Sequence, residues 1–247
     1  GIRLRMGVGL TNLKTEADGS FTLGLSDDTA PRADAVCIAS GSLKSSPITR
    51  AIEALGHTIE PLAPSLFSFD LSDARTQGLV GLSVQNVSVK ALPDSPPQVG
   101  PILIPPRGVS GPAILRLSSW EARKLQASDY RFEISINWLG DVSKKQVLDR
   151  FDELRRTKGR TAVKTKLFEE MPRRLWERIV SAADIADKTQ WSQLSSKHRD
   201  ALAAELVAAR FKVQGKTTNK EEFVTCGGVS LKEIDFRRME SRKVPGL

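Results

Sequence analysis

The chain has 247 residues and a mass of 27.0 kDa, with 37 Lys and Arg against 29 Asp and Glu and a formal net charge of +8. A 40% hydrophobic content with 27% charged residues suits one large globular domain or two smaller ones and rules out wholesale disorder. Two cysteines, two histidines and no apolar run near the roughly 18 residues that span a bilayer exclude disulfide scaffolds, His-rich metal centres and helical membrane proteins.

In chain order, Ile2, Leu4 and Met6 alternate with polar or small residues, and Leu10 and Leu13 continue a strand pattern. Asp18-Gly19 signals a turn, Phe21–Leu25 resumes the two-residue period, and Asp27-Asp28 turns the chain again. The nearly all-apolar run Ala35–Ala39 predicts a buried parallel strand that delivers Ser40-Gly41 to a ligand-facing loop. Ile48, Ala51, Ile52 and Leu55 have helical spacing, closed by Gly56. Residues 61–140 are punctuated by prolines, so runs such as Leu79–Val89 and Ile102–Ile104 predict short strands of a small sandwich or barrel. A helix over Ala113–Leu125 and a strand over Tyr130–Asn137 follow.

Residues 141–209 read as helical. Ser143 is an N-cap candidate, Val147, Leu148, Phe151 and Leu154 form one stripe, and Gly159 stops that helix. Pro172 suits a first helical turn ahead of Leu175, Trp176, Ile179 and Val180, and another helix runs from about Ser196 to Ala209. Phe211–Val213 returns to a strand. This order predicts one module inserted within another.

The positive charge is local. Residues 1–140 hold 13 basic and 13 acidic side chains, residues 141–200 hold 15 against 10, and residues 201–247 hold 9 against 6. The excess is expected to be mainly solvated helix faces on which acids and bases alternate, since no Lys/Arg block of five or more is present.

Few residues suggest chemistry by themselves. Gly7-Val8-Gly9 lacks the third glycine of a dinucleotide fingerprint, because Asn12 stands there. Ser110, in Gly108-Val-Ser-Gly-Pro112, has half of a nucleophile elbow, and a tight turn explains it better. His57 and His198 read as structural and solvated, respectively. Thr225-Cys-Gly-Gly-Val229 follows a strand-like Glu222–Val224, where paired glycines permit either a tight turn or close approach of a ligand.

Four segments together resemble the BaiN/YhiN-like family of FAD-dependent oxidoreductases, which includes aminoacetone-oxidase-like proteins. They are Ala39-Ser-Gly41, the run from Leu55-Gly-His-Thr-Ile59 through Pro64-Ser65-Leu66, Gly108-Val-Ser-Gly-Pro-Ala-Ile-Leu115, and the closing stretch Glu222–Leu247. The resemblance implies a multi-domain α+β protein. Its partial FAD-binding, Rossmann-like α/β domain (1–62 and 221–247) would be interrupted by a β-barrel-like module (63–140 and 210–220) and a small helical module (141–209). It further implies that Leu10 and Ala39, Ser40 and Gly41 lie at the adenine. Thr225, Cys226, Gly227, Gly228 and Val229 would lie on the isoalloxazine side. FAD would carry the redox chemistry on a small molecule, with NAD(P)H as a possible second cofactor.

The chain also departs from the family pattern. The family's glycine-rich fingerprint would precede Gly1, its Gly-Gly-Tyr-Asn run would follow Leu247, and Pro105-Pro106-Arg107 replaces its Thr-His. The chain is therefore expected to be a central fragment that binds FAD weakly or not at all by itself, in the cytoplasm or an organelle, with neither a membrane nor nucleic acid as a partner. The alternative is a truncated, non-catalytic paralogue whose basic helices bind RNA or an acidic protein.

Overall fold

A computed structural model describes residues 2–41, 43, 46–165, 168–217 and 224–247. The elements are β1 (Leu10–Thr15), β2 (Phe21–Leu25), β3 (Arg32–Ala33), α1 (Pro47–Ala54), β4 (Ile59–Ser65), β5 (Phe69–Asp70), β6 (Ser83–Ala91) and β7 (Gln98–Leu103). Then come α2 (Pro112–Trp120), α3 (Ala122–Ala127), β8 (Phe132–Asn137), α4 (Lys144–Thr157), α5 (Arg173–Ala182), α6 (Ser196–Val207) and β9 (Ala209–Val213). The chain ends with β10 (Gly215–Lys216), β11 (Val224–Val229), β12 (Ile234–Asp235) and β13 (Glu240–Ser241). It divides into two compact units, 1–63 with 224–247, and 64–223.

The first unit opens with the antiparallel sheet β1-β2-β3. Its turns follow from side-chain chemistry: Asp18 accepts the Ser20 N–H at 3.1 Å beside Gly19, and Asp27 accepts the Thr29 N–H at 3.3 Å. Ser46 caps α1 by accepting the Thr49 N–H, Pro47 occupies its first turn, and Gly56 follows its end with φ +85°. The core of this unit is small, built on Leu13, Phe21, Ala51 and Val244. Strand β11 pairs with β4, and β12 with β13.

The expected buried strand over Ala35–Ala39 does not form. The segment is extended, Val36 donates to the Gly246 carbonyl at 2.9 Å, and Ala35, Cys37 and Ala39 are exposed. An apolar run shows that a segment would gain from burial, but not that a neighbouring strand is in place to bury it. Residues 2–6 likewise lack regular structure, and Ile2, Leu4 and Met6 are exposed. Every strand pairing whose register is described is antiparallel, so a Rossmann-like sheet is not seen among the described residues.

The second unit carries the large core. Its main sheet runs β7-β6-β8-β9, antiparallel throughout. Alternation decides its buried face: Ile134 and Ile136 in β8, and Ala209, Phe211 and Val213 in β9, are buried, while Arg210 and Lys212 are exposed. A separate pair, β5-β10, lies outside this sheet, so the strands make no closed barrel among the described residues. The expected helix over Ala113–Leu125 breaks at Glu121 into α2 and α3.

The helical region follows its sequence cues closely. Ser143 and Gln146 form a reciprocal capping box at the start of α4, and the helix ends at Thr157, with Lys158 as its C-cap just before Gly159. Pro172 is the N-cap of α5, one place earlier than its expected position inside the first turn. Val147 and Phe151 of α4, Leu175, Trp176, Ile179 and Val180 of α5, and Leu202, Ala203 and Leu206 of α6 are buried together. Phe151 stacks 5.1 Å from Trp191, and Phe168 lies 5.2 Å from Trp176.

Candidate functional site

The first unit holds an apolar cleft of about 500 Å³. One wall is the extended segment Val36–Gly41, with Leu43 and Ile52 behind it; Val229, Leu231, Ile234, Phe236 and Met239 line another part. Four of the nine residues proposed from sequence therefore meet in this cleft: Ala39, Ser40, Gly41 and Val229. Leu10 lies in β1 and Thr225–Gly228 in β11, outside the cleft lining.

The paired glycines have different reasons. A Cβ on Gly227 would stand 2.5 Å from the Pro61 carbonyl oxygen, so close approach of β4 excludes a side chain there. Gly228 has φ +117°, and among the described residues only the Leu43 side chain lies within 4 Å of where its Cβ would be. Cys226 is free and half-buried, and Cys37 is free and exposed.

No backbone N–H of Ile38, Ala39, Ser40 or Gly41 bonds to another described residue. These donors, set against apolar side chains, suit the edge and face of a planar heteroaromatic ring. Among the described residues no Lys or Arg lines the cleft, and the one acid is Glu240. The described lining thus fits the ring portion of a flavin or an adenine, and those residues offer a pyrophosphate neither the cationic nor the helix N-terminal donors it calls for.

At the floor lies a network that the sequence did not reveal. The buried His57 faces Glu233 Oε2 through Nδ1 at 2.9 Å and Ser241 Oγ through Nε2 at 2.8 Å. A carboxylate only accepts, so Nδ1 carries the proton and Nε2 accepts from the serine hydroxyl, an assignment made from the network. The order Ser–His–Glu has the outline of a nucleophile with its base and orienting acid. However, Ser241 Oγ also accepts the Lys243 and Val244 N–H groups at 3.0 and 2.9 Å. Both lone pairs are engaged, leaving none free to attack a substrate. The triad-like set is a structural staple.

Glu233 anchors it. Its carboxylate meets Lys243 Nζ at 2.7 Å and accepts the Thr58 N–H at 3.0 Å. The Lys243 contact, with the Thr58 and His57 hydrogen bonds, holds its pKa down to about 2. Only the Leu-Gly-His segment hinted at His57; its partners are 176 and 184 residues away and carry no local signal.

In the second unit, Ser110 Oγ bonds Ser68 Oγ at 2.5 Å, and no base beside it is found among the described residues. A Cβ on Gly108 would meet the Phe69 carbonyl oxygen at 1.9 Å, and one on Gly111 the Pro101 carbonyl oxygen at 2.8 Å. The Gly108–Pro112 motif is thus a tight packing turn. His198 bonds Ser195 Oγ at 3.1 Å on the surface of α6. Among the described residues, no group of three or more His, Cys, Asp or Glu is placed to hold a metal, and no helix is long and apolar enough to cross a membrane.

The chain is similar to known proteins. The ribosomal RNA dihydrouridine synthase of Escherichia coli (strain K12) is 35% identical over 146 residues, which are 59% of this chain and 34% of that protein. The chain therefore spans about a third of the length of this relative. A family model described as the HI0933-like protein barrel and H2TH domain matches residues 63–224, about two thirds of the chain. With the match covering most of the large core, the chain belongs to the HI0933-like family, a family of FAD-dependent oxidoreductases that includes the BaiN/YhiN-like proteins.

Proposed function

We propose that this chain contributes part of the flavin cradle and the inserted domain of an FAD-dependent oxidoreductase whose substrate is a base in RNA. Family membership over residues 63–224 is the observation that carries the reading, and the apolar cleft supports it by suiting a planar ring. Ala39, Ser40 and Gly41, expected at the adenine, share the cleft with Val229, expected on the isoalloxazine side, and together they would hold that ring. Thr225, Cys226, Gly227 and Gly228 support Val229 from β11, and Leu10 belongs to the sheet beneath. Bound reduced flavin would supply a hydride, with NAD(P)H as its source of electrons.

The RNA base is favoured over a free small molecule because the relative with 35% identity acts on ribosomal RNA. Family membership also favours this reading over a non-catalytic binding module.

Riboflavin fluorescence tests the cradle, because riboflavin has the ring without the pyrophosphate. The 247-residue chain should quench it, and Ala39→Phe, at an exposed position that faces the cleft, should abolish the quenching. FAD should bind no tighter than riboflavin. No quenching by the wild-type chain up to about millimolar concentration overturns the cradle.

A further inference from the structure

We propose that the end of α4 and the backbone ladder after it form a docking surface for the phosphate backbone of RNA, an inference that rests on the RNA reading above. Residues 155–164 carry Arg155, Arg156, Lys158, Arg160 and Lys164 and no acid, and the facing segment adds Lys188. Backbone hydrogen bonds hold the two segments side by side. Ser192 N–H donates to the Gly159 carbonyl at 2.9 Å, Trp191 N–H to Thr161 at 3.1 Å, and Val163 N–H to Thr189 at 2.9 Å. Buried Val163 and Trp191 anchor the inner side, while Lys158, Arg160 and Lys188 are exposed.

The charge here is left over after pairing. Lys164 meets Asp187 at 2.6 Å, and Arg155 gives one N–H to the neutral Ser192 carbonyl. Arg156, Lys158, Arg160 and Lys188 have no acidic partner among the described residues; of the two acids just before them on α4, Asp152 is taken by Arg199 and Glu153 alone is left to offset them. Elsewhere in the helical region Lys144 pairs with Asp200, Arg150 with Glu170 and Arg173 with Glu177, and the bases bonded to neither an acid nor a carbonyl among the described residues, Lys145, Arg178 and Lys197, stand one to a helix. The carbonyl end of α4 accounts for Arg155 and Arg156. It does not account for Lys158, Arg160 and Lys188, which lie beyond the helix.

A cluster of guanidinium and ammonium groups on a tethered ladder suits successive phosphates, and the exposed Ser192 hydroxyl adds a neutral donor. A lipid surface fits poorly. No large apolar side chain is exposed among residues 155–164 or 187–193 to enter it.

The test is fluorescence anisotropy of a labelled ribosomal-type RNA stem-loop with the 247-residue chain over a series of KCl concentrations. The variant combines Arg156→Glu, Lys158→Glu, Arg160→Glu and Lys188→Glu. A control makes the same net change at exposed Lys14, Arg50, Lys90 and Lys232. The ladder variant should bind at least about tenfold more weakly, with a log–log salt slope shallower by about 3, while the control stays within about twofold. Glutamine at the same four positions should give the same ranking, and unchanged tryptophan fluorescence confirms folding. A wild-type chain that binds no RNA at low salt, or binds poly-glutamate instead, overturns the RNA reading and this surface with it. A wild-type chain that binds RNA while the ladder variant binds equally overturns the surface alone.

Discussion

Ser241 and His57 are 184 residues apart in the chain and 2.8 Å apart in space, hydroxyl to Nε2. Through His57, Ser241 is joined to Glu233, and the three hold the closing segment against the turn that follows α1. All three side chains are largely buried, so the network does the work that a larger apolar core would do elsewhere in a unit whose own core is small.

The Glu233 carboxyl should titrate near 2, read by carbon NMR of its side chain. Its pKa is lower in the folded chain than in the unfolded one, so its contribution to stability is complete above the usual 4.5 and is lost as pH falls through about 2. Glu233→Gln should flatten that acid-side loss. A midpoint at 4.5 would show that the Lys243 and Thr58 contacts do not form in solution.

Gly108→Ala should destabilise the second unit by about 3 kcal/mol or more, since the new methyl would overlap the Phe69 carbonyl and φ is +80°. Gly215→Ala, with nothing among the described residues within 4 Å of the added methyl, should stay within about 0.5 kcal/mol. Denaturant melts followed by tryptophan fluorescence measure both, because all the tryptophans lie in residues 64–223. Equal midpoints would contradict the packing turn.

Trp176 and Trp191 are both buried, but among the described residues only Trp176 finds a partner for its indole N–H, the Val163 carbonyl at 3.0 Å. Trp176→Phe should therefore cost about 1–3 kcal/mol more than Trp191→Phe, because it strands a buried carbonyl while the other removes an unsatisfied donor. Urea midpoints in the reverse order would rule this out.

Ser143→Ala should remove the capping box of α4 and cost about 1 kcal/mol. Ser143→Asp should recover most of it, since an acid at an N-cap still accepts the exposed N–H. Calorimetry that shows no difference between the two variants would count against the cap.

The sequence alone determined the helical region and the hairpins. Caps, glycine stops and a 3.6-residue stripe are local signals, so Ser143, Gly159 and the Leu175–Val180 face could be read from their neighbours in the chain. It also carried the family resemblance, through short motifs whose order survives folding. Only the tertiary structure decided the fate of Ala35–Ala39, because whether an apolar run becomes a central strand depends on partners distant in sequence. The same holds for the floor of the cleft: His57, Glu233 and Ser241 acquire meaning only when folding closes a loop of 184 residues. The net charge of +8 was visible at once, but its pairing was not. Ion pairs depend on which side chains the fold brings within about 4 Å, and at the end of α4 Arg155, Arg156 and Lys158 have no acidic partner among the described residues.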